Sequence, residues 1–561
     1  MSTIRGELIN AAINRAIIST INAYDNIHEQ YEFINRIILA DNSLTNDEKT
    51  EAIRIHKKVY DKEKILNNEG TRRICENCNQ KCLATSYCEY CVRNYLKAKF
   101  SYWTSRNNVI YNFIQKCQIE SLMPDMIVEW IPYNNLQNIE YLTKGGFSEI
   151  YTATWIDGGY EEWDSENQQL QRFGNLDVIL KELENFENAS QNWFEEAKSH
   201  LTISNKWTNI VGCYGLTQNP SNGNYMLVMR KANVNLREFL QQNHNQLIWK
   251  ERIGIIYEII HALDSIHREN SIHRDLHSGN ILYLQFSDTW LISDLGFCGP
   301  ADKPSTSIYG NLPYIAPEII NGKEYTFKSD IYSIGMLMWE ISSGQPPFFN
   351  HDHDYYLARN IINGMRPNTI SEIPLNYKTL MEQCWNANPL ERPDTFTLWK
   401  KMEEIKLYYQ HNPTELPQLK ANMDKKISYA NASSKLFTSK IHKFENLPEP
   451  KNATEEEQEA FHSKLFDFNI PKNIDDFGQS SNQNNKRNSN VIEAGNTRLT
   501  KVFKKLRVNS KSVDIQNNYY RDKIQQSSSQ TGDNDDDDDE YNNPNLHSEE
   551  QEEFEIPDEG F

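Results

Sequence analysis

The stretch His273-Arg274-Asp275-Leu276-His277-Ser278-Gly279-Asn280, followed by Asp294-Leu295-Gly296, decides the reading of this chain. An aspartate, an asparagine five residues on and a second aspartate fourteen beyond that are separated by strand-like apolar runs, Ile281-Leu282-Tyr283-Leu284 and Trp290-Leu291-Ile292. This spacing suits phosphoryl transfer, which asks for little covalent chemistry. It needs one carboxylate beside the attacking hydroxyl, and an amide oxygen with a second carboxylate to hold magnesium against phosphate oxygens.

Further features appear in order on both sides. A glycine-rich loop, Leu142-Thr143-Lys144-Gly145-Gly146-Phe147-Ser148-Glu149-Ile150, lies between apolar runs that read as a hairpin. Val178-Ile179-Leu180-Lys181 is a strand ending on lysine, and the helical segment Trp193 to Ile203 carries Glu195 and Glu196. Downstream come Ala316-Pro317-Glu318, then Asp330 to Gly335 opening a helix, Cys384-Trp385, Pro389 and Arg392-Pro393. Over residues 136–407 this succession resembles the eukaryotic protein kinase superfamily, and within it the tyrosine-kinase-like branch, as a fungal-type kinase with an N-terminal CxxC…CxxC extension. The implied fold is α+β: a bilobal protein kinase fold with a β-rich N-lobe and an α-helical C-lobe.

The resemblance also implies roles. Lys181 would contact the α/β phosphates and be oriented by Glu196, since Trp193 and Ala197 flank it in the family's local pattern; Glu195 is the alternative. Asp275 would orient the substrate hydroxyl and accept its proton, and Asn280 and Asp294 would ligate magnesium. Leu142, Gly145, Gly146, Phe147 and Ile150 would line the ATP site. Met229 falls at the gatekeeper position, and Arg230 to Ala232, including Lys231, form the hinge that reads adenine. Arg274 would hold an acidic or phosphorylated activation segment, while Glu318 and Arg392 look like a structural ion pair. The implied activity is ATP- and magnesium-dependent transfer of phosphate to Ser or Thr hydroxyls of a protein substrate in intracellular signalling.

Three departures from the family pattern bear on this expectation. Thr143 and Ser148 replace two loop glycines, which predicts slower nucleotide turnover because glycine permits close backbone approach to phosphate. His277 stands where serine/threonine kinases carry lysine; neutral, it would donate a hydrogen bond to the γ-phosphate, and protonated it would replace the lost charge. Asn311, in Gly310-Asn311-Leu312-Pro313-Tyr314, stands in place of threonine. Ser/Thr specificity therefore rests on the branch resemblance, with dual or tyrosine specificity open. A pseudokinase scaffold acting by protein binding, or a zinc-ribbon adaptor with an accessory kinase, are readings from other classes. In the activation segment Ser305, Thr306, Ser307 and Tyr309 are either phosphate sites for Arg274 or an ordinary polar loop.

Upstream, Cys75-Glu76-Asn77-Cys78 and Cys88-Glu89-Tyr90-Cys91 form two CxxC knuckles with Cys82 between them. Five of the nine cysteines fall in this short span, which predicts a structural zinc site with Cys75, Cys78, Cys88 and Cys91 as ligands and Cys82 spare or substituting. Disulfides are the alternative. Four nearby cations, Lys81, Arg93, Lys97 and Lys99, are too few to claim nucleic-acid binding. The aromatic segment Phe100 to Ile119, with Trp103, Ile110, Phe113 and Ile114, runs through Trp130-Ile131-Pro132-Tyr133 into the kinase-like region and is expected to pack on it.

The expected organisation is a helical segment over 1–70, a cysteine-rich extension over 71–135, the kinase-like domain over 136–407 and a mostly disordered tail over 408–561. Ile9, Ala12, Ile13, Ala16 and Ile17 recur at helical spacing, and Thr45-Asn46-Asp47-Glu48 fits a capping box. No run reaches a membrane span, and Glu7, Asn10 and Asn14 interrupt any signal-peptide core, so a cytoplasmic protein is expected. Past residue 410 polar residues take over, but Tyr429, Phe437, Phe444, Phe461, Phe466 and Phe468 leave short helices or docking segments open between 420 and 470. Beyond 475 disorder is expected. Asp533 to Glu559 holds fourteen acids and no Lys or Arg, out of a net charge of −20, so the acidity belongs largely to the tail.

Overall fold

The computed structural model describes residues 5–18, 26–100, 107–144, 148–183, 192–285, 287–296, 298–300, 308–368, 373–416 and 438–463. Two compact units divide the chain, one holding residues 1–91 and the other beginning at Val92. Among the described residues no helix is long and apolar enough to cross a membrane.

The first unit contains helices α1 (Gly6–Ile18), α2 (Ile27–Ala40) and α3 (Asn46–Leu66). Ile9, Ala12, Ile13 and Ala16 of α1 pack with Ile34 and Ile38 of α2 and Ala52 of α3, so the apolar stripe seen in the sequence is satisfied within the chain. Thr45 Oγ1 accepts from the Glu48 amide at 3.3 Å, and the Glu48 carboxylate accepts from the Thr45 amide at 2.8 Å, completing the expected capping box. Arg5 adds two 2.7 Å bonds to the same carboxylate and ties the start of α1 to the start of α3. Strands β1 (Arg73–Ile74) and β2 (Lys81–Cys82) form a short antiparallel hairpin before α4 (Glu89–Lys99). Asp61 of α3 accepts the amides of Thr85 and Ser86, at 2.6 and 2.9 Å, and so joins the helices to the loop before the second knuckle.

In the second unit α5 (Asn108–Glu120) leads to strands β3 (Glu129–Trp130), β4 (Leu136–Lys144), β5 (Glu149–Trp155), β6 (Tyr160–Asp164), β7 (Gln169–Arg172) and β8 (Leu176–Glu182). Helix α6 (Asn192–Ile203) and strands β9 (Cys213–Gln218) and β10 (Tyr225–Arg230) follow. Six of these strands make one sheet in the order β3-β9-β10-β8-β5-β4, with β3 parallel to β9. Gly215 permits that added strand: its φ is +147°, and a Cβ there would lie 1.9 Å from the Glu129 carbonyl oxygen. The hairpin β6–β7 is a separate two-stranded pair, tied to β3 by Arg172, which donates to Glu129 at 3.0 Å and lies over the Tyr160 ring. Ile110, Ile114 and Cys117 of α5 share a core with Ala197 and Leu201 of α6, and Phe113 meets Phe194 edge-on at 5.4 Å. The packing expected of the aromatic segment is therefore present for α5 and reaches the helix that bears Glu196; Trp103 lies outside the described residues.

The helical lobe runs through β11 (Val234–Asn235), α7 (Leu236–Asn243), α8 (Trp249–Arg268), β12 (Ser271–Ile272), β13 (Ile281–Leu284), β14 (Thr289–Ile292), β15 (Gly299–Pro300), β16 (Ile308–Gly310), α9 (Pro317–Ile320), α10 (Phe327–Ser343), α11 (Tyr355–Ile362), α12 (Leu375–Cys384) and α13 (Thr395–His411). Helices α8 and α10 are buried along most of their length, and their core includes Trp249, Tyr257, Tyr332 and Trp399. Between residues 420 and 470, the described stretch 438–463 forms β17 (Lys440–His442) and α14 (Glu455–Ser463). Phe444, Leu447 and Phe461 pack on the helical core, which gives this polar segment its hold. Residues beyond 463, with the acidic run, lie outside the described residues.

Candidate active site

Lys181 sits on β8 between Ile150 of β5 and Leu227 of β10, nearly buried. Its Nζ lies 2.6 Å from Glu196 Oε1 on α6 and 2.6 Å from Asp294 Oδ1. Burial opposes the ammonium, but Asp294 and Glu196 outweigh it and hold the lysine above its ordinary pKa; Lys181 in turn holds Asp294 below its own, against burial. Glu196 is thus a glutamate that meets the lysine.

The loop between β12 and β13 is fixed through its backbone. Asp330 of α10 accepts the amides of His273 and Arg274 at 2.8 and 3.0 Å and a third bond from His267 at 2.9 Å. Arg274 and Asp294 both adopt positive φ, +70° and +58°, conformations that non-glycine residues keep only where their surroundings over-determine them. Asn280 donates from Nδ2 to the Asp275 carbonyl at 2.9 Å, and its own carbonyl accepts the Ser293 amide at 2.8 Å. Pairing of Ile281 with Ile292 then sets Asn280 and Asp294 at neighbouring strand ends. The Asp275 carboxyl is pushed up to about 7, first by burial and then by the Asp294 charge. His277 is pushed down to about 3, first by burial and then by Arg237. Burial thus favours the neutral ring at His277.

The comparisons bear on the same residues. The family profile for the protein tyrosine and serine/threonine kinase domain matches residues 136–402. Residues 136–402 are a protein kinase domain. Similar proteins include the dual specificity protein kinase zakA of Dictyostelium discoideum, 31% identical over 32% of this chain and 26% of that protein. A probable serine/threonine-protein kinase, roco5, from the same organism is 28% identical over 49% of this chain and 10% of its own length. A dual serine/threonine and tyrosine protein kinase of Pimephales promelas is 32% identical over 30% of this chain and 18% of that protein. The chain thus spans about a quarter or less of each of these relatives, and its affinities are tyrosine-kinase-like.

Within the kinase domain the other expected positions fall as follows. Leu142 is exposed near the end of β4, and Ile150 lies on β5 opposite Lys181. Gly145, Gly146 and Phe147 lie outside the described residues, as do Ser305, Thr306 and Ser307 and the Glu195 side chain. Met229 is buried on β10 in the core that also holds Ala197 and Leu291. The Lys231 ammonium turns to Asp177 at 3.2 Å, so only its backbone is left to face an adenine. Tyr309 is buried within β16, which withholds its hydroxyl from modification in this state. Arg392 and Glu318 form the expected ion pair through two 2.7 Å bonds.

Two positions carried no local signal. His200 of α6 accepts the Leu295 amide at 3.2 Å, and burial lowers its pKa to about 3; it braces the Asp294-Leu295-Gly296 turn as a neutral ring. Ser439 lies with its hydroxyl 2.9 Å from the Asp275 carboxylate. The oxygen donors of Asn280 and Asp294 suit magnesium, because the Asn280 amide nitrogen is engaged and leaves its oxygen as the ligating end.

The cysteine cluster is compact. The sulfurs of Cys75, Cys78, Cys88 and Cys91 all lie within 4.8 Å of one another, with 3.7 Å between Cys75 and Cys91 and 3.6 Å between Cys78 and Cys88. Tetrahedral zinc with bonds of about 2.3 Å has sulfur–sulfur edges of about 3.8 Å, so the set fits that ion. None of these cysteines is in a disulfide. Cys82 stands beside the quartet, its thiol donating to the Arg73 carbonyl at 3.6 Å and lying within 4.8 Å of the Cys88 sulfur.

Proposed function

We propose that this chain is an ATP- and magnesium-dependent protein kinase that phosphorylates Ser and Thr hydroxyls of protein substrates. The observation that carries the reading is the contact of Lys181 with both Glu196 and Asp294 across two lobes, 2.6 Å each. That arrangement presents an obligate cation at the phosphates and leaves Asp275 on the other side of the cleft to orient a hydroxyl and take its proton. Magnesium, held by Asn280 and Asp294 when bound, neutralises charge on the phosphate oxygens. His277 supplies a neutral hydrogen-bond donor at the γ-phosphate where a lysine would supply a charge, which favours a slow enzyme. The cysteine quartet is read as a closed structural zinc site, in a cytoplasmic protein where thiols are kept from pairing.

Dual specificity is the second reading. His277 and Asn311 replace the residues that the Ser/Thr expectation relies on, and two of the similar proteins are described as dual-specificity kinases. Incubation of the purified chain with labelled ATP and magnesium, beside Asp294→Asn, followed by phospho-amino-acid analysis, tests both. Label on Ser and Thr that vanishes in the variant is the expected result. Label on Tyr as well establishes the second reading, and label that persists in Asp294→Asn refutes the assignment.

A further inference from the structure

We propose that Ser439 is an intramolecular phosphate acceptor: the segment 438–463 is a strap that the chain lays across its own catalytic loop as a substrate, and modification of Ser439 releases it. The inference rests on the kinase reading above.

Ser439 Oγ donates to Asp275 Oδ1 at 2.9 Å and lies 3.1 Å from His277 Nε2. The second ring nitrogen of His277 accepts the Gly279 amide at 3.0 Å, so the neutral imidazole carries its proton on Nε2, facing Ser439. The serine proton therefore faces the carboxylate while the histidine donates to one oxygen lone pair. The Tyr309 hydroxyl is a third hydrogen-bond neighbour of Ser439. A protein hydroxyl must take this place to be phosphorylated, and a residue of the chain itself occupies it.

The strap is held along its length. Strand β17 pairs antiparallel with β16 of the activation segment, Gly310 against Lys440, Tyr309 against Ile441 and Ile308 against His442. His442 Nε2 bonds to the Gly310 carbonyl at 3.0 Å. Gly310 has φ of +134°, and a Cβ there would come within 3.2 Å of the Asp275 carboxylate, so glycine keeps the backbone clear beside the acceptor. Further on, the Lys451 amide donates to the Ile362 carbonyl at 3.0 Å and Asn452 accepts the Ala387 amide at 2.8 Å. Gln458 bridges the Arg366 amide and the Gly364 carbonyl at 3.2 and 2.6 Å, and His462 bonds to the Arg366 carbonyl at 3.0 Å. Strand addition to an exposed edge with a side chain delivered to a site is a general mode of peptide recognition.

The transfer balances within the groups named. Ser439 Oγ forms a bond to the γ-phosphorus of ATP while the bond from that phosphorus to the β,γ-bridging oxygen breaks. ADP leaves with the electron pair, and Asp275 takes the hydroxyl proton. The product places nearly two negative charges beside the Asp275 carboxylate, with the neutral His277 ring and the Tyr309 hydroxyl, and no cation, bonded to that serine. Repulsion then frees that end of the strap and vacates the groove for an external substrate.

The test uses the full chain with ATP, magnesium and myelin basic protein as external substrate, with phosphosites mapped over time. The expected result is phosphate on Ser439 at a rate unchanged across a tenfold dilution of the chain, with phosphorylation of myelin basic protein accelerating only after that modification. Ser439→Glu should start at the accelerated rate, several-fold above the initial wild-type rate, and Ser439→Ala should stay at the initial rate. Immediate phosphorylation of myelin basic protein with no phosphate on Ser439 overturns the inference and leaves the kinase reading standing. So does a Ser439 rate that falls with dilution, or an equal initial rate in Ser439→Glu. No label on either protein overturns the kinase reading and this inference together.

Discussion

Removal of Glu318 should unfold the helical lobe at much milder conditions, because it strands a charge in the protein interior. The Arg392 side chain is fully buried and that of Glu318 is 6% exposed, with two 2.7 Å bonds between them. Breaking a buried pair by deleting one partner costs about 3–5 kcal/mol. Arg392 keeps two other acceptors, the carbonyls of Asn386 and Lys328 at 2.8 Å each, and lies 5.3 Å from the centre of the Tyr332 ring. Those contacts satisfy its N–H groups but not its charge, which places Glu318→Ala near the lower end, about 3 kcal/mol. For a domain of this size that is a fall in Tm of roughly 6–12 °C. The double variant Glu318→Leu with Arg392→Met removes both charges together and should stay within about 1 kcal/mol of wild type. Urea and thermal unfolding followed by tryptophan fluorescence would measure all three proteins, since Trp339, Trp385 and Trp399 lie in this lobe. A single variant that loses less than about 1 kcal/mol, or a double variant that falls below the single, would refute the argument from stranded charge.

Two further predictions concern the first unit. Replacing Cys78 and Cys91 together by Ser should remove about one equivalent of zinc per chain by metal analysis; wild-type protein free of metal sinks the zinc assignment. His56 is buried, stacked on Tyr31 at 5.0 Å and bonded to Asn35 at 3.2 Å, and burial lowers its pKa from 6.5 to about 4. A depressed histidine contributes stability that is whole above pH 6.5 and lost as pH falls toward 4, so between pH 7 and 4.5 the wild type should lose about 2–3 kcal/mol more than His56→Gln. Parallel pH profiles for the two proteins in chemical denaturation would contradict this.

What the sequence made legible was local. The spacing from Asp275 to Asn280 and Asp294 is set by a loop and a two-stranded ribbon, so a reader of residue order can find it. The Thr45 capping box and the stripe on α1 are equally short-range. Glu196 was readable from its neighbours in sequence, and it meets Lys181 from α6. The charge state of His277 was not readable: it depends on burial and on Arg237, forty residues upstream. Nor was the parallel addition of β3, which pairs Glu129 with Gly215 across more than eighty residues. Lys231 shows the same limit at one position, since hinge placement comes from order but the turn of its side chain to Asp177 comes from the neighbouring strand.

Contacts of that second kind surround the kinase core on both sides, and this bears on how it is controlled. The family match begins at residue 136, yet the core around α6 is completed by Ile110, Ile114, Cys117, Val128 and Trp130, all upstream of it. Ile110 and Ile114 have no exposed surface, and truncating either to Ala would cost about 2–5 kcal/mol in that core. Glu196 reaches Lys181 only while α6 keeps its seat against the sheet, and α5 forms the other wall of that seat through Phe113 and Phe194. At the opposite side of the cleft, Asp275 is engaged by a serine 164 positions further along the chain. The seat of Glu196 and the Asp275 carboxylate are therefore each contacted by residues outside the matched family segment. The proposed catalytic groups lie within the matched segment, but residues that pack behind Glu196 and engage Asp275 lie to either side of it.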